Sequence, residues 1–233
     1  NDVYVYSCLA NDKNLGGNNA NKEATSKSGH MAGVLHLATK EGANKRHAQS
    51  MTAGGTWTNL GSNTDKFGRT STTNGSTLTG SVSGTVVGLV GFWNNSSGGT
   101  FSVTIDGVGK GTFNCQPPGA SVPSNTGQNY GAFSLFFNGL SNTAHTVVIT
   151  VTSATNAANS VFISFIAGYI NGGMINSSDP HVIANTTWDW TATGNTEQGT
   201  TTAQNLRYVQ MCIDNVATAR ALGLNVDIVN WNT

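Results

Sequence analysis

An α/β scaffold interrupted by an all-β module is the fold class this sequence predicts, and three observations predict it. Each end of the chain gives a short β-branched or aromatic run with an amphipathic helical pattern. The middle alternates apolar and polar residues with almost no helical period. Glycine-rich junctions, Gly54-Gly55 and Asn171-Gly-Gly173, separate these parts. The expected architecture is a partial flavodoxin-like parallel sheet interrupted by an inserted β-sandwich of the jelly-roll kind. Residues 1–53 and 173–233 form the two α/β pieces and residues 54–172 the insert.

Val3–Tyr6 reads as the first strand, because Val and Tyr suit a pleated surface. After a polar loop, Ser28 can cap a helix running to about Gln49, with Met31, Val34, Leu35 and Ala38 on one face. Candidate strands follow near 56–60, 68–72, 76–80, 84–93, 100–106, 110–115, 130–137, 145–153 and 160–169. Phe101, Val103 and Ile105 share one face of their strand, as do Val147, Ile149 and Val151. Asp106-Gly107 directly after a strand signals a hairpin turn. Short strands with such turns argue for a two-sheet sandwich. Pro117-Pro118 and Ser121–Gln128 read as a long surface loop. His181–Ala184 then gives a strand, and Thr201 or Thr202 can cap a helix carrying Leu206, Val209, Ile213, Val216 and Ala217. Gly223 suits the position after that helix, and Leu224, Val226 and Ile228 alternate as a strand. Strand, helix, strand in this order is a parallel βαβ unit.

Composition narrows the partners. Charged residues are 9% of the chain, its net charge is zero, and there is no basic run. Nucleic acid and anionic membranes need a cationic field and are excluded as partners. No apolar stretch approaches the roughly 20 residues needed to span a bilayer; Val161–Ile170, the most apolar run, reads as a buried strand. Cys8, Cys115 and Cys212 make an odd set in three segments, which is no disulfide framework, and read as packing thiols. A polar Asn/Thr/Ser/Gly surface combined with free thiols implies an extracellular or virion-associated protein assembled in a reducing cytoplasm. The start at Asn1, without Met or a signal peptide, reads as a processed or partial product.

The two outer pieces, taken with the insert, resemble the SGNH (GDSL-type) hydrolases. Val3-Tyr-Val-Tyr-Ser-Cys-Leu-Ala-Asn-Asp12 is similar to that family's third block, a strand ending in Gly-x-Asn-Asp, with Leu9 in place of the glycine. Some members carry a jelly roll inserted after the next helix, and 91–107 and 140–151 resemble such modules. The resemblance implies a serine ester hydrolase acting on acylated carbohydrate. Asn11 would donate to the oxyanion hole and Asp12 would support the loop. The nucleophile block (Gly-Asp-Ser) and the acid–base block (Asp-x-x-His) do not occur in these 233 residues, so this piece alone is expected to be inactive. A sheet of only three parallel strands leaves an exposed edge, which implies completion by further polypeptide or by a neighbouring copy.

A second reading makes the chain a non-catalytic carbohydrate-binding or structural module of a phage tail or virion. Its candidate sugar-stacking residues are Trp57, Trp93, Tyr130, Trp188 and Trp190, each of which has core packing or loop anchoring as the alternative role. The partner on either reading is a polysaccharide or glycan. The five histidines, His30, His36, His47, His145 and His181, are scattered and show no metal-ligand spacing, so no metal or cofactor is expected. Ser7, at the end of the first strand, lacks the glycine context of a nucleophile.

Overall fold

The computed structural model describes residues 3–7, 35, 39, 44–60, 68–93, 98–116, 132–157, 159–170, 181–185, 213–214, 216–221, 223–224 and 226–229. Its main body is a sandwich of two antiparallel sheets. One contains β10 (Ala132–Phe137), β7 (Val86–Phe92), β12 (Val161–Tyr169), β5 (Gly68–Ser71) and β4 (Thr58–Leu60) in that order, with β2 (Lys45–His47) also paired to β12. The other runs β3 (Thr52–Gly54), β6 (Thr77–Gly84), β11 (Thr143–Ser153), β8 (Thr100–Ile105) and β9 (Val108–Asn114). Inward residues of both sheets meet in one core. Leu78, Val82, Phe101, Val103, Ile105, Val147, Ile149 and Val151 come from the five-stranded sheet. Val87, Leu89, Trp93, Phe133, Val161, Ile163 and Ile166 come from the other. The predicted alternation at 101–105 and 147–151 is therefore the inner face of one sheet. The Asp106-Gly107 turn closes the β8–β9 hairpin with φ of 51° and 78°, the paired positive values that a two-residue turn of this hand requires.

The chain passes between sheets at Gly84-Thr85. Residues 77–92 are continuous extended chain, yet β6 and β7 lie in different sheets. At the corner the Thr85 amide donates to the Tyr169 carbonyl at 2.9 Å. Gly84 has φ of 147°, and a Cβ there would lie 2.4 Å from the Tyr169 carbonyl oxygen. Two backbones touch, and only glycine permits it.

The middle of the six-stranded sheet, β12 and β7, is buried on both faces. β12 is buried along its whole length, and Val86, Val90, Phe162, Phe165 and Tyr169 are buried although they belong to the face away from the sandwich core. Leu35, fully buried, sits on this second face: its Cδ2 lies 2.5 Å from where a Gly88 Cβ would be. Lys45 lays its ammonium over the Phe165 ring at 5.8 Å, and the His47 ring meets the same phenyl edge-on. Sheets covered on both sides read as continuous apolar runs, which is how Val161–Tyr169 reads.

The expected first helix does not reach Gln49. Residue 35 is helical, but Lys45–His47 is a strand paired with β12 (His47 opposite Phe165), followed by a 3-10 turn at Ala48–Ser50. The apolar helical spacing ends at Ala38, and the backbone groups of 45–47 find partners on β12 while Ala48 and Met51 enter the core. The sandwich thus takes in β2 and β3, residues expected from the sequence to belong to the first α/β piece.

A separate three-stranded sheet unites the outer pieces. β1 (Val3–Ser7) pairs in parallel with β13 (His181–Asn185), and β13 with β14 (Val226–Val229). Val5 stands opposite Ile183. Between β13 and β14, residues 213–214 and 216–221 are helical, with Val216 and Ala219 buried and Gly223 at φ of 86° just past the end. Among the described residues the α/β part comprises these strands and helical segments; a flavodoxin-like sheet goes beyond them.

Candidate functional site

The loops at the end of the sandwich where β12 begins form one continuous polar rim. Thr56 is held from both sides: its amide donates to Ser76 Oγ at 3.1 Å, and its carbonyl accepts from Ser71 Oγ at 2.7 Å. The 72–76 turn is tied to β11 by Gly75 N–H to the Val151 carbonyl and Val151 N–H to the Ser76 carbonyl, both 2.9 Å. Asn74 Oδ1 also accepts from the Ala154 amide at 2.7 Å. The 154–160 loop closes on itself through Asn159 N–H to Asn156 and Ser160 Oγ to the Ala157 carbonyl. It continues into Gly99, whose amide donates to the Ser160 carbonyl, and then into Cys115. Every link is backbone or short side chain, so the rim is fixed before any ligand arrives. Thr72, Thr73, Asn74, Thr152, Ser153, Thr155 and Asn156 are exposed along it, and none is ionisable.

Two of the sequence-predicted aromatics lie at this end. Trp57 follows Thr56 and is partly buried, packed against the core. Its Nε1–H is sheltered and has no acceptor among the described residues. Trp93 is only 6% exposed and packs against Phe133, ring centroids 5.9 Å apart. That is a correction: a ring enclosed by the core has no free face for a sugar, so Trp93 is a packing residue. Asn11, Asp12, Tyr130, Trp188 and Trp190 lie outside the described residues. Among the described residues no group of His, Cys, Asp or Glu could hold a metal ion. Nor is any helix among them long and apolar enough to cross a membrane.

Cys115 behaves as expected of a packing thiol. It is fully buried, and burial pushes its pKa up to about 12, so it is no nucleophile. Its sulfur accepts from the Phe162 amide at 3.4 Å.

The opposite end of the sandwich holds an ion pair that the sequence did not reveal. His145 is buried on β11, its Nδ1 2.6 Å from Asp106 Oδ2 and its Nε2 within 2.8 Å of the Ser141 carbonyl and 3.0 Å of the Gly84 carbonyl. Both ring nitrogens face acceptors, which is the pattern of an imidazolium. Asp106 Oδ1 accepts from the Thr146 amide at 2.8 Å. The hydrogen bond to Asp106 raises the His145 pKa above its usual value, and the reciprocal bond to His145 lowers that of Asp106. A polar residue at a core-facing position of an alternating strand, with an Asp-Gly turn one strand away, was the available signal. With a buried ring and a turn carboxylate tied to backbone, the pair is structural rather than catalytic.

No protein-family model matches the chain, and no curated protein matches it. Among solved structures it is similar to a carbohydrate-binding module, CBM36, in complex with calcium and xylotriose. Identity is 20%, coverage 52% of this chain and 96% of that one, and the TM-score 0.38. The CBM36-1 domain of a multidomain xylanase from the hindgut metagenome of Trinervitermes trinervoides gives 21%, 57% and 100%, and 0.39. A two-domain esterase active on acetylated mannans, co-crystallized with mannopentaose, gives 14%, 58% of this chain but 36% of that one, and 0.38. At these identities and TM-scores the likeness carries no functional argument. None of the three is named as an SGNH hydrolase.

Proposed function

We propose that the sandwich is a non-catalytic module that binds a neutral glycan at the rim. The observation that carries this reading is the fixed, uncharged run of Thr, Asn and Ser hydrogen-bonding groups beside the partly buried Trp57. A sugar ring offers hydroxyls that match such groups and an apolar face that matches an aromatic one. Pre-organisation lowers the ordering entropy that binding must overcome. On this reading the module works outside the cell or on a virion.

Affinity electrophoresis in gels containing neutral xylan, galactomannan or mixed-linkage glucan tests it. Retardation by at least one polymer is expected. Trp57→Ala should weaken it about tenfold or more, equivalent to at least about 1.4 kcal/mol. Trp93→Ala should instead lower stability by about 3–5 kcal/mol, because it empties a core site. No retardation by any neutral glycan would refute the reading.

The parallel pairing of β1, β13 and β14 favours a second reading, in which the outer pieces belong to an SGNH-type hydrolase scaffold acting on acylated carbohydrate. Asn11 would then face an oxyanion, with further polypeptide or another copy completing the sheet. These 233 residues contain no Gly-Asp-Ser and no Asp-x-x-His, so a serine-directed fluorophosphonate should leave them unlabelled. Robust labelling would overturn the block assignment.

A further inference from the structure

The outer face of the five-stranded sheet is a lattice of hydroxyl groups. Side chains alternate along each strand, so the positions opposite the core can be read directly from the register. Thr52 stands beside Thr79, Thr79 beside Val148, and Val148 beside Thr104. The next row holds Thr77, Thr150, Ser102 and Thr112. Ser81 pairs with Thr146 in a third. Ser81, Thr146 and Thr112 are exposed, and Thr77, Thr79, Ser102, Thr104 and Thr150 partly so.

Three properties distinguish this face. None of these outward residues is ionisable, and among the described residues this sheet carries charge only at Asp106, in the hairpin turn, and Lys110, in the bulge of edge strand β9, besides the inward His145. Apart from Thr100 and Thr152, whose hydroxyls are 2.9 Å apart, the outward hydroxyls make no side-chain hydrogen bond among the described residues. Most are threonines, whose β-branched side chains are restricted at χ1 and offer a methyl group beside each hydroxyl. Each of the first two rows crosses four strands at about 4.8 Å and so runs for about 14 Å, longer than a single sugar.

We infer that this face is a second contact surface, distinct from the rim, for an extended, uncharged polysaccharide lying across the strands. The complementarity is electrical as well as chemical. A neutral polymer meets a face with no charge to desolvate, and each hydroxyl can donate or accept as the sugar requires. A polyanion gains nothing there. The inference rests on the glycan reading of the sandwich for its class of ligand, but not on the rim residues.

The test uses the full chain and affinity electrophoresis with xylan, galactomannan and mixed-linkage glucan, with alginate as the anionic control. The triple variant Thr77→Ala/Thr150→Ala/Ser102→Ala should lose about tenfold or more in affinity for a neutral polymer. The single variant Ser81→Arg, which projects bulk from an exposed position, should do the same. Both should keep the wild-type melting profile. Binding should be insensitive to salt, as expected without charge pairing. Full retention of binding by both variants would overturn the inference while leaving the rim reading intact. Loss in the face variants with none in Trp57→Ala would do the reverse. Concentration-dependent self-association in sedimentation velocity, abolished by Ser81→Arg, would make the face a contact between copies and also overturn the inference.

Discussion

Gly84→Ala is expected to destabilise the protein by about 3–5 kcal/mol, as a sum of backbone strain and overpacking. The residue has φ of 147°, and its added methyl would lie 2.4 Å from the Tyr169 carbonyl oxygen and 2.5 Å from the Tyr169 amide nitrogen. Neither atom belongs to a flexible side chain. Relief requires moving β12, the strand buried along its whole length, or opening the corner where the chain changes sheets. Gly75→Ala is the internal control. Gly75 also has positive φ, 80°, but nothing lies within 4 Å of the place an added methyl would occupy, so about 1 kcal/mol of conformational cost is all that applies. Urea midpoints of the two variants measure the difference. Equal midpoints would mean that the close approach at the corner is not a real constraint.

The stability that the His145–Asp106 pair contributes should be greatest between about pH 4 and pH 6.5, and His145→Ala should remove that pH dependence. The signs follow from the two shifts. His145 has a raised folded pKa, so its contribution is complete below the unfolded value of about 6.5 and is lost as pH rises through the folded one. Asp106 has a lowered folded pKa, so its contribution is present above about 3.9 and is lost as pH falls through the folded value. Above the raised folded pKa of His145 the ring is neutral and cannot donate from both nitrogens, and either Asp106 or the Ser141 and Gly84 carbonyls face a lone pair. In the window, His145→Ala should cost about 2–4 kcal/mol, since it empties a buried site and leaves those acceptors unmatched. At pH 9 the cost should be smaller. Urea titrations of both proteins at pH 3, 5, 7 and 9 check this. A wild-type minus variant difference that stays constant with pH would exclude the charged pair.

Period-two alternation made two strands of the sandwich legible in the sequence, and a continuous apolar run made a third legible. The strands read at 100–106, 145–153 and 160–169 are β8, β11 and β12. The Asp106-Gly107 dipeptide located its hairpin, because few residues other than Asp, Asn and Gly tolerate two successive positive φ values. The rim was only half legible. Trp57 stood out as an aromatic in a polar stretch, but the loops that flank it come from segments about 20 and 100 residues away. Trp93 looked equivalent in the sequence. Its burial depends on Phe133, across a strand pair, which no local pattern reports.

By itself the sequence determined most strands of the sandwich, the low-charge composition, the packing role of Cys115 and the turns at Gly107 and Gly223. These are properties of single residues and their near neighbours, and they follow from backbone sterics and side-chain polarity. Only the tertiary structure decided that 45–47 is a strand rather than the end of a helix. It alone placed β6 and β7, consecutive strands of the chain, in different sheets, and it alone brought His145 onto Asp106. Each of these depends on which distant strand supplies the hydrogen-bonding partner, and pairing energy between segments far apart in the chain leaves no periodic trace in either one.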